Sequence, residues 1–312
     1  MSRYSVSPLD LTGLKTISLH DRPGKVKIAD FAKPYREGAL LDTLPHILAA
    51  NSFRAVIQAM RDAKSAGKPI MWAMGGHVIK CGLAPVLSDL MRRGYATSFS
   101  MNGSASIHDF EIAISGSTSE DVESVLPDGR FGSAEETGLE MNDAIRLGDN
   151  VGLGMGEALS NLAAQGQHAA YSLLAAAHDA KVPVTVHVAI GTDTPHTHPA
   201  ADPGAIGRAT HRDFRLFCAL VKQLNQGGVY INAGSAVIMP EVFLKALSAV
   251  RNLGFPVANF TTVNFDFLQH YRPKANVIER PHAHAGGHGY SITGHHELMI
   301  PLLAMSLIET GK

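Results

Sequence analysis

Apolar positions along this chain alternate between short unbroken runs and helical spacing, and the alternation repeats in a fixed order. Ile70 to Met74 is an unbroken apolar run that stops at Gly75-Gly76. A run of that length between punctuating residues predicts a strand buried on both faces, as in a parallel sheet. Val78, Ile79, Leu83, Val86, Leu87, Leu90 and Met91 then recur at helical spacing up to Gly94 and predict one helix. Tyr95 to Met101 predicts a second strand, closed by the small polar turn Asn102-Gly103-Ser104.

The same pattern continues downstream. Val182 to Ile190 predicts a third strand, followed by a polar loop from Gly191 to about Gly207; Val229 to Asn232 predicts a fourth, ending at Ala233-Gly234-Ser235; and Val257 to Val263 predicts a fifth. Asn276 to Ile278 is read as a short sixth strand. Helices are predicted over Phe214 to Leu224, Pro240 to Leu253 and Leu298 to Ile308, and the Ala- and Leu-rich stretch from Glu135 to Ala180 is mostly helical in composition. Upstream, Gly38 to Ala66 reads as two helices, with Asn51 or Ser52 capping the second. Residues 1–37 read as an irregular arm in which Val26, Ile28 and Phe31 form one edge strand, leaving 38–312 as a single α/β domain.

Strands alternating with helices predict a doubly wound, mostly parallel sheet with helices on both faces, of the Rossmann-like, dinucleotide-binding type. A weak internal echo agrees: Met74-Gly-Gly-His-Val-Ile and Ala233-Gly-Ser-Ala-Val-Ile each lead from a strand into a helix. In such a sheet the turns at Gly75, Asn102, Thr192 and Gly234 all fall at the carboxyl ends of strands, where open α/β sheets bind ligands and where helix amino termini offer N–H groups to anions.

Bulk properties narrow the function. Lys and Arg number 27 against 28 Asp and Glu, a balance that favours neither nucleic acid nor a membrane surface as partner. The N-terminal residues contain no signal-like apolar core. Two cysteines, Cys81 and Cys218, are too few for a disulfide framework and point to a reduced cytoplasmic setting. Sixteen histidines in the chain point to site chemistry, metal binding or pH response without choosing among them.

Several residues stand out as candidates. His108, Asp109 and Glu111 begin the element after the Asn102-Gly103-Ser104 turn, and Asp109 beside His108 suits the setting of an imidazole's tautomer for acid–base work, although acidic residues in a first helical turn are also ordinary dipole partners. His77 suits either a phosphate contact or a cap. Asp193 ends the third strand and suits a ribose or substrate contact, whereas His187 inside that strand reads as a core histidine. Gly152-x-Gly154-x-Gly156 imitates a dinucleotide fingerprint but no strand precedes it, which favours a packed turn. The pair His196-x-His198 and the cluster His282, His284 and His288 offer imidazoles that zinc or iron would take if the loops converged.

The succession from about Lys68 to Val263 resembles the deoxyhypusine synthase-like superfamily of NAD-binding domains, including the ornithine cyclodeaminase-type domain of arginine-degrading proteins. Its pieces are Gly75-Gly76-His77-Val78-Ile79-Lys80, the turn Asn102-Gly103-Ser104-Ala105 leading to His108-Asp109-x-Glu111, and Val188-Ala-x-Gly191-Thr192-Asp193. Where the synthases carry an imine-forming lysine shortly after a glycine turn, this chain has Ile238 and Met239 after Gly234-Ser235, and Lys245 lies two helical turns further on. The resemblance therefore implies NAD held at Gly75, Gly76, His77, Asn102, Gly103, Ser104, Thr192, Asp193, Gly234 and Ser235. It also implies a small amine or amino-acid-like substrate, catalysis by His108, Asp109 and Glu111 through hydride transfer and imine chemistry, and a homodimer or homotetramer, without deoxyhypusine synthesis itself. The enzyme would then be an NAD-dependent transferase, lyase or deaminase acting on C–N bonds. Two other readings stay open: a metal-dependent hydrolase or lyase using the His282 cluster, and a non-catalytic nucleotide or metabolite sensor.

Overall fold

A computed structural model of the chain describes Lys15, Lys33, Glu37 and residues 39–309; the expected N-terminal arm and its edge strand lie outside the described residues. In chain order the helices are α1 (Leu48–Ser65), α2 (Gly76–Lys80), α3 (Ala84–Arg92), α4 (Gly103–Ser115), α5 (Val122–Val125), α6 (Glu135–Asn150), α7 (Met155–Ala163), α8 (Leu173–Ala180), α9 (Pro203–Lys222), α10 (Ile238–Asn252), α11 (Tyr271–Pro273) and α12 (His296–Ile308). The strands are β1 (Ile70–Met74), β2 (Ser98–Asn102), β3 (Val184–His187), β4 (Val229–Ala233), β5 (Thr261–Asp266) and β6 (His288–Thr293). They form one six-stranded sheet in the order β3-β2-β1-β4-β5-β6, with every pairing parallel. This is the doubly wound Rossmann order, in which the direction of winding reverses between β1 and β4.

The unbroken apolar runs have a simple cause. Along β1, Ile70, Trp72 and Met74 join one apolar cluster, while Met71 and Ala73 join the other. The split repeats in β4, where Val229, Ile231 and Ala233 face one way and Tyr230 the other. Successive side chains of a strand point to opposite faces, so a strand covered on both must be apolar throughout. Residues of α1, α3, α4, α8 and α12 build the first cluster; Phe217 and Val221 of α9 and Phe243 and Leu247 of α10 build the second. Tyr230 stacks on Phe243 with centroids 3.9 Å apart, and the Trp72 indole N–H donates to the Tyr95 carbonyl at 3.0 Å across the other face.

Four expectations about elements are corrected. The helix expected from Val78 to Met91 is two helices, α2 and α3, with Gly82 at φ +73° between them. Pro85 sits in the first turn of α3, where its missing N–H costs nothing, whereas inside a continuous helix its ring would clash with the preceding turn. The helix expected to begin at Phe214 begins at Pro203, capped by the Asp202 carboxylate, which accepts from the Gly204 and Ala205 N–H groups. Asn51 and Ser52 lie inside α1 and cap nothing, the N-cap being Ile47. The sixth strand is not Asn276–Ile278, which belongs to a helical segment whose Val277 enters the second cluster, but β6, drawn from the glycine- and histidine-rich stretch. As an edge strand β6 buries only Ile292 fully, and Gly289 is required because a Cβ there would lie 2.3 Å from the Ile278 carbonyl oxygen. No helix among the described residues is long and apolar enough to cross a membrane.

Candidate functional site

Because all six strands run the same way, their carboxyl ends share one edge of the sheet, and the turns there touch in the order of the strands. A Cβ on Gly103, after β2, would lie 2.1 Å from Asp193 Oδ2, after β3. One on Gly76, after β1, would lie 2.2 Å from Ser104 Oγ and 3.0 Å from His108 Cδ2. One on Gly75 would lie 2.3 Å from the Gly234 carbonyl oxygen, after β4. Gly234 itself has φ +66° and rests against the His296 ring of α12. Each of these glycines is therefore required by turn-on-turn packing, and together they join residues 75, 103, 193 and 234 in one continuous rim.

A cavity of about 230 Å³ opens on the β1–β2–β3 side of this rim. Lys80, Ser104, His108, Glu111, Thr192 and Asp193 line it together with residues of the segment 119–137, including Glu120, Phe131 and Thr137. The expected residues His108, Glu111, Ser104, Thr192 and Asp193 thus share one space. His108 and Glu111 lie one helical turn apart on α4 and are joined through Thr118. The Thr118 hydroxyl donates a very short hydrogen bond to Glu111 Oε2 and lies 2.7 Å from His108 Nδ1. With its own proton on Glu111, that hydroxyl accepts from His108, which makes Nδ1 the protonated nitrogen and leaves Nε2 as the basic one. Thr137 donates to Glu111 Oε1 at 3.2 Å.

The two carboxylates in this cavity are pushed in opposite directions. Burial raises Glu111, but the neighbouring His108 and the hydrogen bonds from Thr118 and Thr137 outweigh it and hold the group below the usual range. Asp193 is held above its ordinary value by burial, only partly offset by His196 and Thr192, and its Oδ2 is buried without a partner. Carboxylates whose surroundings separate their titrations in this way suit division of acid and base roles.

Other expected residues are used structurally. Asp109, expected to orient His108, is fully buried and turns away from it: its oxygens accept from the Ser172 hydroxyl at 2.5 Å and from the Leu173 and Leu174 N–H groups at 2.8 Å. It anchors the start of α8, and Thr118 holds the place beside His108 that it was expected to hold. The Asn102 side chain caps α4 by accepting from Ala105 N–H, and Ser235 Oγ accepts from Met239 N–H at the start of α10. His77 projects away from the cavity, towards Phe267 and His296.

The metal expectation at the histidine-rich loops fails on geometry. His282 is wedged against Phe260, with Nε2 at 2.8 Å from Thr262 Oγ1 and Nδ1 at 3.2 Å from the Gly286 carbonyl, so both nitrogens are engaged. His284 and His288 are exposed and do not converge on it. His196 Nδ1 accepts from Gly191 N–H while His198 Nε2 faces Glu135 at 3.4 Å, so that pair diverges too. His187 is a buried core histidine bonded to Thr185 Oγ1 and edge-on to Phe217. Gly156, expected in a packed turn, lies in the first turn of α7, where a Cβ would lie 2.2 Å from the Val184 carbonyl oxygen. Lys245 pairs with Glu241 on the exposed side of α10.

Thr118 and Thr137 have no role in the sequence reading, and Glu120 and Lys80 appear there only within motifs, with no site role. For Thr118 and Glu120 the signal lies in the polar stretch Ser115-Gly-Ser-Thr-Ser-Glu-Asp, which is too polar to pack and too long for a tight connection.

No family model matches the sequence, and no curated protein matches it. Among solved structures, the arginine dihydrolase ArgZ of the ornithine–ammonia cycle in cyanobacteria aligns over 85% of this chain at a TM-score of 0.51 and 16% identity, and this chain spans 33% of its length. A ternary complex of AgrE with ornithine and NAD+ aligns over 85% of this chain and 35% of its own at a TM-score of 0.48 and 15% identity. A candidate deoxyhypusine synthase from Entamoeba histolytica aligns over 85% of this chain and 90% of its own at a TM-score of 0.51 and 9% identity. The resemblance to deoxyhypusine synthase-like proteins thus holds as a resemblance of fold.

Proposed function

We propose that this protein is an NAD-dependent enzyme acting on the C–N bond of a small amine or amino-acid-like substrate, bound in the cavity between the β1, β2 and β3 turns. The observation that carries the reading is the charge of that cavity: Glu111, Glu120 and Asp193 line it against the single base Lys80, with His108 among them. Such a lining favours a cation, and an amine substrate arrives as an ammonium cation that must give up one proton before its nitrogen-bearing carbon can give up a hydride.

At about 230 Å³ the cavity is smaller than drug-sized pockets of roughly 300 Å³ and above, so it fits a small amine and leaves a dinucleotide to lie along the rim. The fit to NAD rests on the Rossmann strand order, which puts the switch point between β1 and β4, and on Gly75 and Gly234, which bring those two turns into contact there. NAD bound at the rim supplies a hydride acceptor. The chain's own residues do the rest. His108 Nε2 takes the proton that the ammonium loses, the Thr118 link and ionised Glu111 stabilise the imidazolium, and Asp193 orients the substrate. No lysine follows Gly234-Ser235, so the chain itself offers no covalent imine there. The two free cysteines suit a reducing, cytoplasmic setting, and we propose a homodimer or homotetramer as the working form.

Calorimetry of the full chain with NAD+ and NADH, followed by NADH fluorescence with a panel of diamines and α-amino acids, tests the reading. The expected result is dinucleotide binding and turnover of at least one amine, abolished in His108→Gln. Absence of binding for both dinucleotides would overturn the cofactor assignment. Binding with no turnover of any amine would return the sensor reading. Native mass spectrometry of the same sample gives the subunit count.

A further inference from the structure

On the far side of α2 from the cavity, three side chains of different chemistry meet at the rim between β1 and β5. His77 and Cys81 lie four residues apart, on α2 and at its end, and so share one side of it; His77 Nε2 is 3.3 Å from Cys81 Sγ. Glu297, in the first turn of α12 and 216 residues further along the chain, brings Oε2 to 3.6 Å from the same sulfur. One ligand atom from each of the three lies within 4.8 Å of the others, and no other group of histidine, cysteine and acidic side chains among the described residues converges in this way.

The spacing matches a coordination polyhedron. With zinc–sulfur, zinc–nitrogen and zinc–oxygen bonds of about 2.3, 2.05 and 2.1 Å at tetrahedral angles, the sulfur-to-nitrogen and sulfur-to-oxygen edges are each about 3.6 Å. The observed 3.3 and 3.6 Å lie within about 0.3 Å of those edges. The surroundings also suit an ion. His295 Nδ1 stands 3.8 Å from Glu297 Oε1, beside the carboxylate. The Phe267 ring packs against both His77 and His295 and walls one side. His296 lies edge-on to His77 with centroids 5.5 Å apart; its Nε2–H donates to the Phe265 carbonyl at 3.0 Å, while its Nδ1 is buried with no partner.

We propose that His77, Cys81 and Glu297 form a binding site for one borderline divalent cation of the zinc class, with a fourth position open to water or to a substrate atom at the rim. Thiolate, imidazole and carboxylate together favour zinc over magnesium or calcium, which prefer oxygen alone. Three protein ligands with one open position is the arrangement of sites that do chemistry, whereas structural sites are closed by four. None of the three ligands lines the amine cavity on the other side of α2, so the site does not rest on the amine-binding reading.

The test uses the full chain, stripped with chelator and titrated with Co2+ as a spectroscopic probe, then with Zn2+ in competition. The expected result is one equivalent of Co2+ giving the intense visible bands of tetrahedral cobalt with thiolate-to-metal charge transfer, displaced by Zn2+. Cys81→Ser should abolish the charge-transfer band and weaken Zn2+ binding at least 100-fold, and Glu297→Gln about 10-fold or more. His282→Ala should bind as wild type. Only weak octahedral bands, or an undiminished charge-transfer band in Cys81→Ser, would overturn the site. Thermal denaturation of each stripped variant separates lost ligation from lost folding. NAD+ calorimetry on stripped wild type separates failure of this site from failure of the cofactor reading.

Discussion

Gly103 and Asp193 are in direct contact: a Cβ at 103 would lie 2.1 Å from the Asp193 carboxylate oxygen. The turn after β2 thereby fixes the carboxylate delivered by the turn after β3, and the position of Asp193 in the cavity depends on a hydrogen atom at residue 103. Gly103→Ala should push the carboxylate out of place and cost about 1–3 kcal/mol, the usual range for overpacking. Denaturant titration reads the stability and substrate binding reads the displaced group. The double variant Gly103→Ala with Asp193→Ala should regain much of the lost stability, because the colliding group is gone. Additive losses would show that the strain lies elsewhere in the turn.

Thr118 decides which nitrogen of His108 is basic. In Thr118→Val the shape is nearly kept but the link to Glu111 is cut, so the imidazole should populate both tautomers. Nitrogen-detected NMR of the histidine rings reads this directly, and a single unchanged tautomer would remove Thr118 from the site. The same variant tests Glu111. Its folded titration lies below the ordinary value, so its stabilising contribution is present above the unfolded value and is lost as pH falls through the folded one. Losing one donor raises the folded value, so the contribution of Glu111 should vanish at a higher pH in Thr118→Val than in wild type.

The strands that carry the rim were legible because each is buried on both faces, which leaves an unbroken apolar run. The edge strand β6 was not, since one exposed side lets it carry His288, Tyr290 and Ser291, and a short apolar triplet such as Asn276–Ile278 reads equally as strand or buried helix. The early start of α9 was visible in Asp202-Pro203, a cap followed by a first-turn proline, but Gly204 and Gly207 masked it. In the site, strand-end position brought out His108, Glu111 and Asp193. Partners such as Thr118 and Thr137 arrive from a loop whose path no periodicity records, and Asp109 looked catalytic only because adjacency in sequence says nothing about which way neighbouring helical side chains point.

His282 should prove to be a packing residue. It fills the space beside Phe260 and engages Thr262 and Gly286, so His282→Ala leaves a void and the Thr262 contact unmade. We expect a loss of about 1–3 kcal/mol with no change in metal content by elemental analysis. A drop in bound metal would restore the histidine loop as a ligand set.

Two buried groups, Asp213 and His187, push acid stability in opposite directions. Asp213 of α9 accepts from the Gly156 and Val186 N–H groups at 2.7 and 2.8 Å, yet burial pushes its carboxyl up to about 7. His187, adjacent in sequence to Val186, is pushed down to about 3 by burial. From about pH 4 to 7 the folded chain keeps a proton on Asp213 that the unfolded chain releases, so stability falls with rising pH. From about pH 3 to 6.5 the unfolded chain protonates the residue-187 imidazole while the folded one does not, so stability rises with pH. Each shift is worth about 4–5 kcal/mol over its range, and where the windows overlap the two slopes offset, leaving wild-type stability nearly independent of these groups. Removing either should expose the other. Asp213→Asn should gain stability steadily as pH is raised from 4 to 6.5, and His187→Gln should lose it over the same interval. Urea midpoints at several pH values read both slopes. Parallel profiles in the two variants would show that at least one of the groups does not titrate as its burial requires.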